Sequence, residues 1–306
     1  MATRKDVRRT FVTTIDYEKF GGRKPQENDV EETETLEFEE KNHEYEDGRE
    51  YPRKEKEQGM IVIFNQISFD GLDRRSGSEV DEKRIIRTFN RLYFNIKRKF
   101  IFRDLNRKEM LDKIDEICAG TYSVNCLICV VMTHGGAHNT LYLRDGHIFA
   151  YEIYEKFCAC ESFKNIPKLF LFQACKTFTD DLQTVDHSKQ TKLVDGETWK
   201  HLIPPDTMLF YSSLEGEVSF RVETEGSWFI QELCNNIDSH GRDEDMHSLA
   251  TRVIKCVACN YYFEEETETK KQMPIFLSTL TKKFYLTMSK RRQNMLMKLA
   301  KIRNIS

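Results

Sequence analysis

Apolar and polar positions along the chain alternate in a way that predicts an α/β domain. Three short apolar runs, at 60–64, 126–132 and 168–173, have the length and composition of buried strands. Apolar residues recur at helical spacing after positions 78 and 106. Strands buried on both faces with helices between them are typical of a mostly parallel sheet. We therefore predict such a sheet with helices on both faces.

The two predicted helices begin at polar pairs. Ser78 with Asp81, and Asn106 with Glu109, have the spacing of capping boxes. The second half of the domain is predicted to contain a strand, two helices and two closing strands, at 208–211, 227–234, 248–259, 275–277 and 284–286.

Three segments lack this pattern. Residues 1–58 have almost no apolar periodicity, and residues 27–50 hold twelve acidic side chains, so we expect disorder there. The polar stretch from 177 to about 202 predicts an exposed loop. The tail 290–306 has six basic and no acidic residues, which fits either an amphipathic helix or a frayed extension.

Charge and cysteine content exclude several functional classes. The net charge is −3, with 47 basic and 50 acidic residues, which argues against binding nucleic acid or an anionic membrane. No apolar run reaches 18 residues, so no transmembrane segment is expected. Nine cysteines without an apolar leader favour the reducing cytoplasm.

Two Cys-x-x-Cys pairs, Cys126 with Cys129 and Cys256 with Cys259, raise the question of zinc. Structural zinc sites place their ligands on turns, whereas these pairs lie in a predicted strand and a predicted helix. We therefore expect core thiols, and neither a metal nor another cofactor.

The most informative chemistry follows two of the predicted strands. Cys175 stands at the end of the third apolar run, and His134 stands 41 residues earlier at the end of the second. In α/β folds the carboxyl ends of strands are where chemistry is exposed, so a thiol and an imidazole can meet there. That pair suits nucleophilic catalysis, in which the thiolate attacks and the imidazole transfers the proton.

Seven segments in order across some 230 residues resemble the caspase family. They are Met60–Asn65, Arg75–Asp81, His134–Gly135, Ile166–Phe170, Gln173–Thr177, Ser219–Arg221 and Gly226–Gln231. The resemblance implies a three-layer α/β sandwich with a mostly parallel six-stranded sheet. It also implies a cysteine endopeptidase that cleaves after aspartate, similar to divergent, invertebrate-type effector caspases with a short prodomain.

The resemblance assigns roles to residues at their matching positions. His134 and Cys175 would be catalytic, and the backbone N–H groups of Gly135 and Cys175 would bind the oxyanion. A backbone carbonyl near Asp73 would orient the imidazole. The remaining matches form two sets: Arg75, Gln173 and Arg221 would hold the substrate aspartate, and Val218, Ser219, Phe220, Val222 and Trp228 would line neighbouring subsites.

Caspase organisation would divide the chain into an acidic propeptide, a large subunit, a linker, a small subunit and a basic tail, at 1–58, 59–186, 187–195, 196–289 and 290–306. Maturation cuts would follow Asp195, Asp186 and Asp47; the alternatives are a bare exposed loop and a solvated N-terminal tail. The family implies a homodimer of large and small subunit pairs, protein substrates with exposed aspartates, an upstream caspase and inhibitor-of-apoptosis proteins as partners.

Lys176 and Thr177 depart from the family, which generally has Arg-Gly or Gln-Gly there. Lysine keeps the charge but loses the planar fork, and threonine replaces a residue with permissive backbone angles. Two hypotheses therefore stay open: an active enzyme made as a zymogen, or a catalytically weak paralogue that regulates active caspases by dimerising with them.

Overall fold

The computed structural model describes residues 50–53, 58–92, 94, 96–176, 202–264 and 269–287. All of them belong to the second of two compact units, which begins at Asp47. The predictions for the processing sites Asp47, Asp186 and Asp195, for Thr177 and for the tail 290–306 lie outside the described residues.

Thirteen strands and five α-helices are present in the described part of the chain. The strands are β1 Gln58–Asn65, β2 Ile101–Arg103, β3 Val124–Met132, β4 Gly135–Gly136, β5 Thr140–Leu143, β6 Gly146–Phe149, β7 Lys168–Gln173, β8 Thr207–Tyr211, β9 Arg221–Val222, β10 Gly226–Ser227, β11 Phe263–Glu264, β12 Thr269–Lys270 and β13 Ile275–Ser278. The helices are α1 Ser78–Arg91, α2 Arg107–Cys118, α3 Ala150–Ala159, α4 Trp228–His240 and α5 Met246–Asn260.

The central sheet has six strands in the order β13-β8-β7-β3-β1-β2, and only β13 runs antiparallel to its neighbour. Side chains of β3 alternate between two separate cores: Ile128 faces the core with α1, α4 and α5, and Leu127 faces the core with α2 and α3. The mostly parallel six-stranded sheet with helices on both faces is thus confirmed.

The cysteine pair in β3 follows the same alternation. Cys126 belongs to one core and Cys129 to the other, so their side chains point to opposite faces of the sheet. The expectation of core thiols is wrong for the second pair, because on the amphipathic helix α5 Cys256 is only partly buried and Cys259 is exposed. Within the described residues, no group of three or more His, Cys, Asp or Glu side chains could hold a metal ion. No helix of the described segments is long and apolar enough to cross a membrane.

One of the two predicted capping boxes is correct. The side chain of Asn106 accepts a hydrogen bond from the N–H of Glu109, whose carboxylate accepts from the N–H of Asn106. The box at Ser78 is wrong. Helix α1 instead begins after Gly77, which has a φ of 85° and no side-chain cap, because the Ser78 hydroxyl is engaged by Asn65 and Arg75.

The predicted strand at 284–286 is also wrong. Tyr285 makes one isolated bridge to Asp245, while Phe284 and Leu286 are buried in the core. Conversely, the sequence did not reveal the edge strand β2, the small antiparallel sheet β4-β5-β6, or helix α3.

The packed domain starts before residue 59. Tyr51 is buried, its N–H donates to the carbonyl of Lys283, and its hydroxyl donates to Asp206 Oδ1 at 2.5 Å. Arg53 donates to the carbonyl of Leu286 and to Cys126 Sγ. Residues 50–53 are therefore part of the fold, contrary to the expectation of disorder through residue 58.

Candidate active site

The sheet register brings the predicted catalytic pair to one edge. Met132 of β3 is the register partner of Gln173 of β7, and His134 and Cys175 each stand two positions beyond that pair. The N–H of Thr133 donates to the carbonyl of Gln173, which extends the pairing by one residue. The parallel sheet thus places His134 and Cys175 at the same edge, after neighbouring strands.

Two contacts orient the imidazole of His134. Its Nε2 lies 2.8 Å from the backbone carbonyl of Asp73, and because a carbonyl only accepts, Nε2 carries the proton and Nδ1 is free to accept one. The ring of Phe69 packs against it at a centroid distance of 4.8 Å. Burial lowers the pKa of His134, so the ring is neutral near neutral pH and can serve as a base.

Cys175 is half-buried, and its thiol faces the backbone of Ser219. Sγ accepts from the N–H of Ser219 at 3.4 Å and lies 3.6 Å from the Ser219 carbonyl. Among the described residues these are the hydrogen bonds of the thiol, and neither of them is to His134. Catalytic hydrogen bonds that tighten only with substrate bound are common.

Gly135 is a position of unusually close approach. A Cβ built there would overlap the carbonyl oxygen of Cys175 and would lie 2.8 Å from the Cβ of Ala174. The backbone of β4 therefore packs directly on the backbone that carries the thiol, and only glycine fits.

Arg75 is completely buried, which is unusual for this residue type. Its Nη1 donates to the carbonyl of Gln66 at 3.0 Å and to Ser78 Oγ at 2.8 Å, whereas Nε and Nη2 are buried without a hydrogen-bond partner. Burial and the neighbouring Arg221 lower the pKa of Arg75 to about 9. Two unpaired donors on a buried cation indicate a place for an anionic ligand.

Arg221 and Gln173 lie around the same place. Nε of Arg221 donates to the carbonyl of Ser76 at 2.7 Å, and burial lowers the pKa of Arg221. Nε2 of Gln173 donates to Ser219 Oγ at 2.7 Å, while Oε1 of Gln173 is buried and unpaired. Each of the three residues predicted to hold a carboxylate is fixed by at least one hydrogen bond. The amide nitrogen of Gln173 already donates to the Ser219 hydroxyl.

Aromatic rings surround the predicted neighbouring subsites. Phe220 stacks on Trp228 at 4.4 Å and on Phe263 at 5.7 Å, and Trp228 contacts Tyr261. Val222 is exposed, and Val218 lines an open groove of about 380 Å³ together with Leu214, Lys270, Lys271 and Met273.

Two residues that position the site were missed by sequence reasoning. Phe69 covers the imidazole, as described above. Gln272, almost fully buried, accepts from the N–H of Phe220 at 2.8 Å and donates to the carbonyl of Ser212 at 2.8 Å. Both lie outside the seven matching segments, and a lone Phe or Gln carries no sequence signal.

Lys176 packs against the ring of Tyr211. Its Nζ lies 3.5 Å from the centroid of the Tyr211 ring, and burial lowers its pKa to about 8. Its backbone N–H donates to the carbonyl of Glu217, and its carbonyl accepts from Gly216. The residue that follows Cys175 is therefore fixed by three contacts.

Comparisons with known proteins agree on the family. The family described as Caspase domain matches residues 58–285. The chain is 31% identical to caspase-6 of Mus musculus over 274 residues, which cover 83% of this chain and 97% of that relative. It is 29% identical to caspase drICE of Drosophila melanogaster over 244 residues, covering 76% and 71%.

A solved structure agrees as well. The crystal structure of caspase-1 from Spodoptera frugiperda matches with a TM-score of 0.67 at 27% identity, covering 79% of this chain and 94% of that one. The six-stranded, mostly parallel sheet with helices on both faces belongs to a fold shared over most of both chains. This protein belongs to the caspase family.

Proposed function

We propose that this chain is a cysteine endopeptidase that cleaves peptide bonds after aspartate. The observation that supports it most is Arg75: a fully buried cation with two unpaired N–H donors, next to Arg221 and at the edge that carries Cys175 and His134. An aspartate side chain supplies the carboxylate that would pair with these donors.

In this mechanism Nδ1 of His134 takes the proton of the Cys175 thiol, and the thiolate forms a bond to the scissile carbonyl carbon. The carbonyl oxygen becomes an oxyanion, which the backbone N–H groups of Gly135 and Cys175 stabilise. The Asp73 carbonyl stabilises the imidazolium through Nε2–H. The imidazolium then protonates the leaving amine as the peptide bond breaks, and water hydrolyses the thioester.

The proposal includes effector-type activity in apoptosis or related signalling, in the cytoplasm, after cutting at Asp195 or Asp186. An upstream caspase would make the cut, and inhibitor-of-apoptosis proteins would restrain the product. We also propose a homodimer through β13, which is the outer strand of the sheet and exposes Leu277. Val218, Phe220, Val222 and Trp228 would select the residues before the aspartate.

The second candidate is a catalytically weak paralogue that regulates active caspases by dimerising with them. It is favoured by the thiol of Cys175, which bonds to Ser219 instead of His134, and by the lysine after it.

Labelling with a peptide aldehyde ending in aspartate separates the two candidates. The aldehyde carbon forms a reversible hemithioacetal with an active thiol, and native mass spectrometry, which keeps the protein folded, measures one adduct per chain. An enzyme is labelled at Cys175, the Cys175→Ala variant is not, and an aldehyde ending in asparagine labels far more slowly. An unlabelled parent that still forms dimers supports the regulator.

A further inference from the structure

A buried carboxylate lies behind the two arginines and has no assigned role. Asp81, on α1, is about 1% exposed, and both of its oxygens are occupied. Oδ1 accepts from the N–H of Ser227 at 2.7 Å and Oδ2 accepts from its hydroxyl at 2.6 Å. Ser227 is itself fully buried. A buried carboxylate is costly unless its charge and hydrogen bonds are matched, so its partners indicate what it serves.

The bond to Ser227 reaches the second arginine through the backbone. Ser227 of β10 is the register partner of Arg221 of β9. Gly226, with a φ of 93°, has no room for a Cβ because one would contact Asp81 Oδ1. The β9-β10 hairpin is therefore held directly against α1 by the Asp81 carboxylate.

A hydrogen bond from Arg221 connects it to the segment that carries Arg75. Nε of Arg221 donates to the carbonyl of Ser76, which follows Arg75 in the chain and lies just before α1. Asp81 therefore binds Ser227, and Ser227 pairs with Arg221 across the two strands. Arg221 in turn binds Ser76, the neighbour of Arg75 in the chain, just before the helix α1 that carries Asp81. These contacts tie Arg221 and the segment that carries Arg75 to the same helix.

Charge acts in the same direction. Arg75 and Arg221 repel each other, and this repulsion lowers the pKa of Arg75 beyond the effect of burial. Asp81 is the leading opposing charge on both arginines, ahead of Cys175, Glu79 and, for Arg221, Glu223. Without this carboxylate, the two cations would lose the largest of their opposing charges, and their mutual repulsion would be less balanced.

We propose that Asp81 is a positioning residue for aspartate selectivity: its carboxylate, bound to Ser227, holds Arg221 at the right distance from Arg75 and balances their repulsion in the empty pocket. This inference rests on the proposed function. In this proposal the bonds between Asp81 and Ser227 hold the two arginines in the arrangement that binds a carboxylate, before the substrate arrives.

The test measures binding, so that it does not depend on turnover. In a Cys175→Ala background, calorimetry compares a peptide with one internal aspartate to the same peptide with asparagine. Asp81→Asn, Ser227→Ala and the double variant break the same link. Each should lower the ratio of aspartate to asparagine affinity by about tenfold, without additivity and with asparagine binding unchanged.

Asp112→Asn is the matched control, since Asp112 is an exposed residue of α2 paired with Lys108. It should leave the ratio unchanged. If Asp81→Asn does not fold, Ser227→Ala alone still decides, because it keeps the carboxylate and removes one bond. An unchanged or increased ratio in the folded variants overturns the proposal for Asp81 alone. A background protein that prefers neither peptide overturns the proposed function and this inference together.

Discussion

The close packing of Gly135 on Cys175 gives a direct test of the site geometry. In a Gly135→Ala variant the new Cβ would overlap the Cys175 carbonyl and lie 2.8 Å from the Ala174 Cβ and 3.2 Å from the Thr140 carbonyl. Backbone atoms on two sides leave little room for relaxation. The segment that carries the thiol must therefore shift by about 1 Å to restore contact distance.

The expected magnitude follows from that shift. A displacement of about 1 Å at reacting atoms can lower a rate by about 100-fold, and overpacking of this kind costs about 1–3 kcal/mol of unfolding free energy. We expect kcat/KM on an aspartyl peptide to fall about 100-fold, with a cooperative urea transition retained. Steady-state kinetics and urea denaturation monitored by circular dichroism measure the two quantities.

Gly146→Ala is the matched control, because a Cβ at Gly146 meets no atom within 4 Å and its backbone is not left-handed. It should leave both kcat/KM and the urea midpoint close to those of the parent. A Gly135→Ala variant that keeps full activity would refute the placement of the Cys175 backbone against β4.

Three further predictions concern other parts of the fold. Arg221→Lys should lower kcat/KM on aspartyl peptides, with a loss of about 2–5 kcal/mol of transition-state stabilisation, whereas Arg74→Lys on the surface should leave kcat/KM unchanged. Equal kcat/KM values for the two variants would contradict the assignment of Arg221 to the aspartate pocket. Tyr51→Phe should lower the urea-unfolding free energy by about 1–3 kcal/mol, because it removes the hydroxyl that donates to Asp206 and accepts from the N–H of Thr281, and the exposed Tyr262→Phe is its control. Burial favours neutral His134, so the acid limb of kcat/KM should have a midpoint below 6.5; one above 6.5 would contradict this.

The sequence was sufficient for five of the six strands of the central sheet, all but β2, and for the helices α4 and α5. The runs at 60–64, 126–132 and 168–173 correspond to β1, β3 and β7, because strands buried on both faces are continuously apolar. The capping box predicted at Asn106 is correct because both of its partners lie within the same turn of the chain.

Long-range contacts explain the errors. Ser78 has the right spacing for a capping box, but its hydroxyl serves Asn65, 13 residues away, and Arg75. Tyr51 stands in a polar, acidic stretch, yet it packs against Thr281, 230 residues away. No local pattern encodes such partners.

The functional site divides in the same way. The neighbourhood of His134 and Cys175 follows from strand order, so it could be expected from sequence. The orientation of the thiol toward Ser219, the bond of Gln173 to Ser219 and the bonds of Asp81 to Ser227 join segments that are distant in sequence and meet only in the folded chain. The subunit boundaries and the processing sites stay predictions.

The central claim is that Cys175 and His134 cleave a chain after aspartate. The test uses three peptides that differ only in one residue, which is aspartate, glutamate or asparagine. Each is incubated with the parent, with Cys175→Ala and with the double variant that also carries His134→Ala. Mass spectrometry then identifies the products. The account predicts a single cut, after aspartate, by the parent alone, and equal inactivity of both variants. Cleavage by Cys175→Ala, or equal cleavage of all three peptides by the parent, would contradict it.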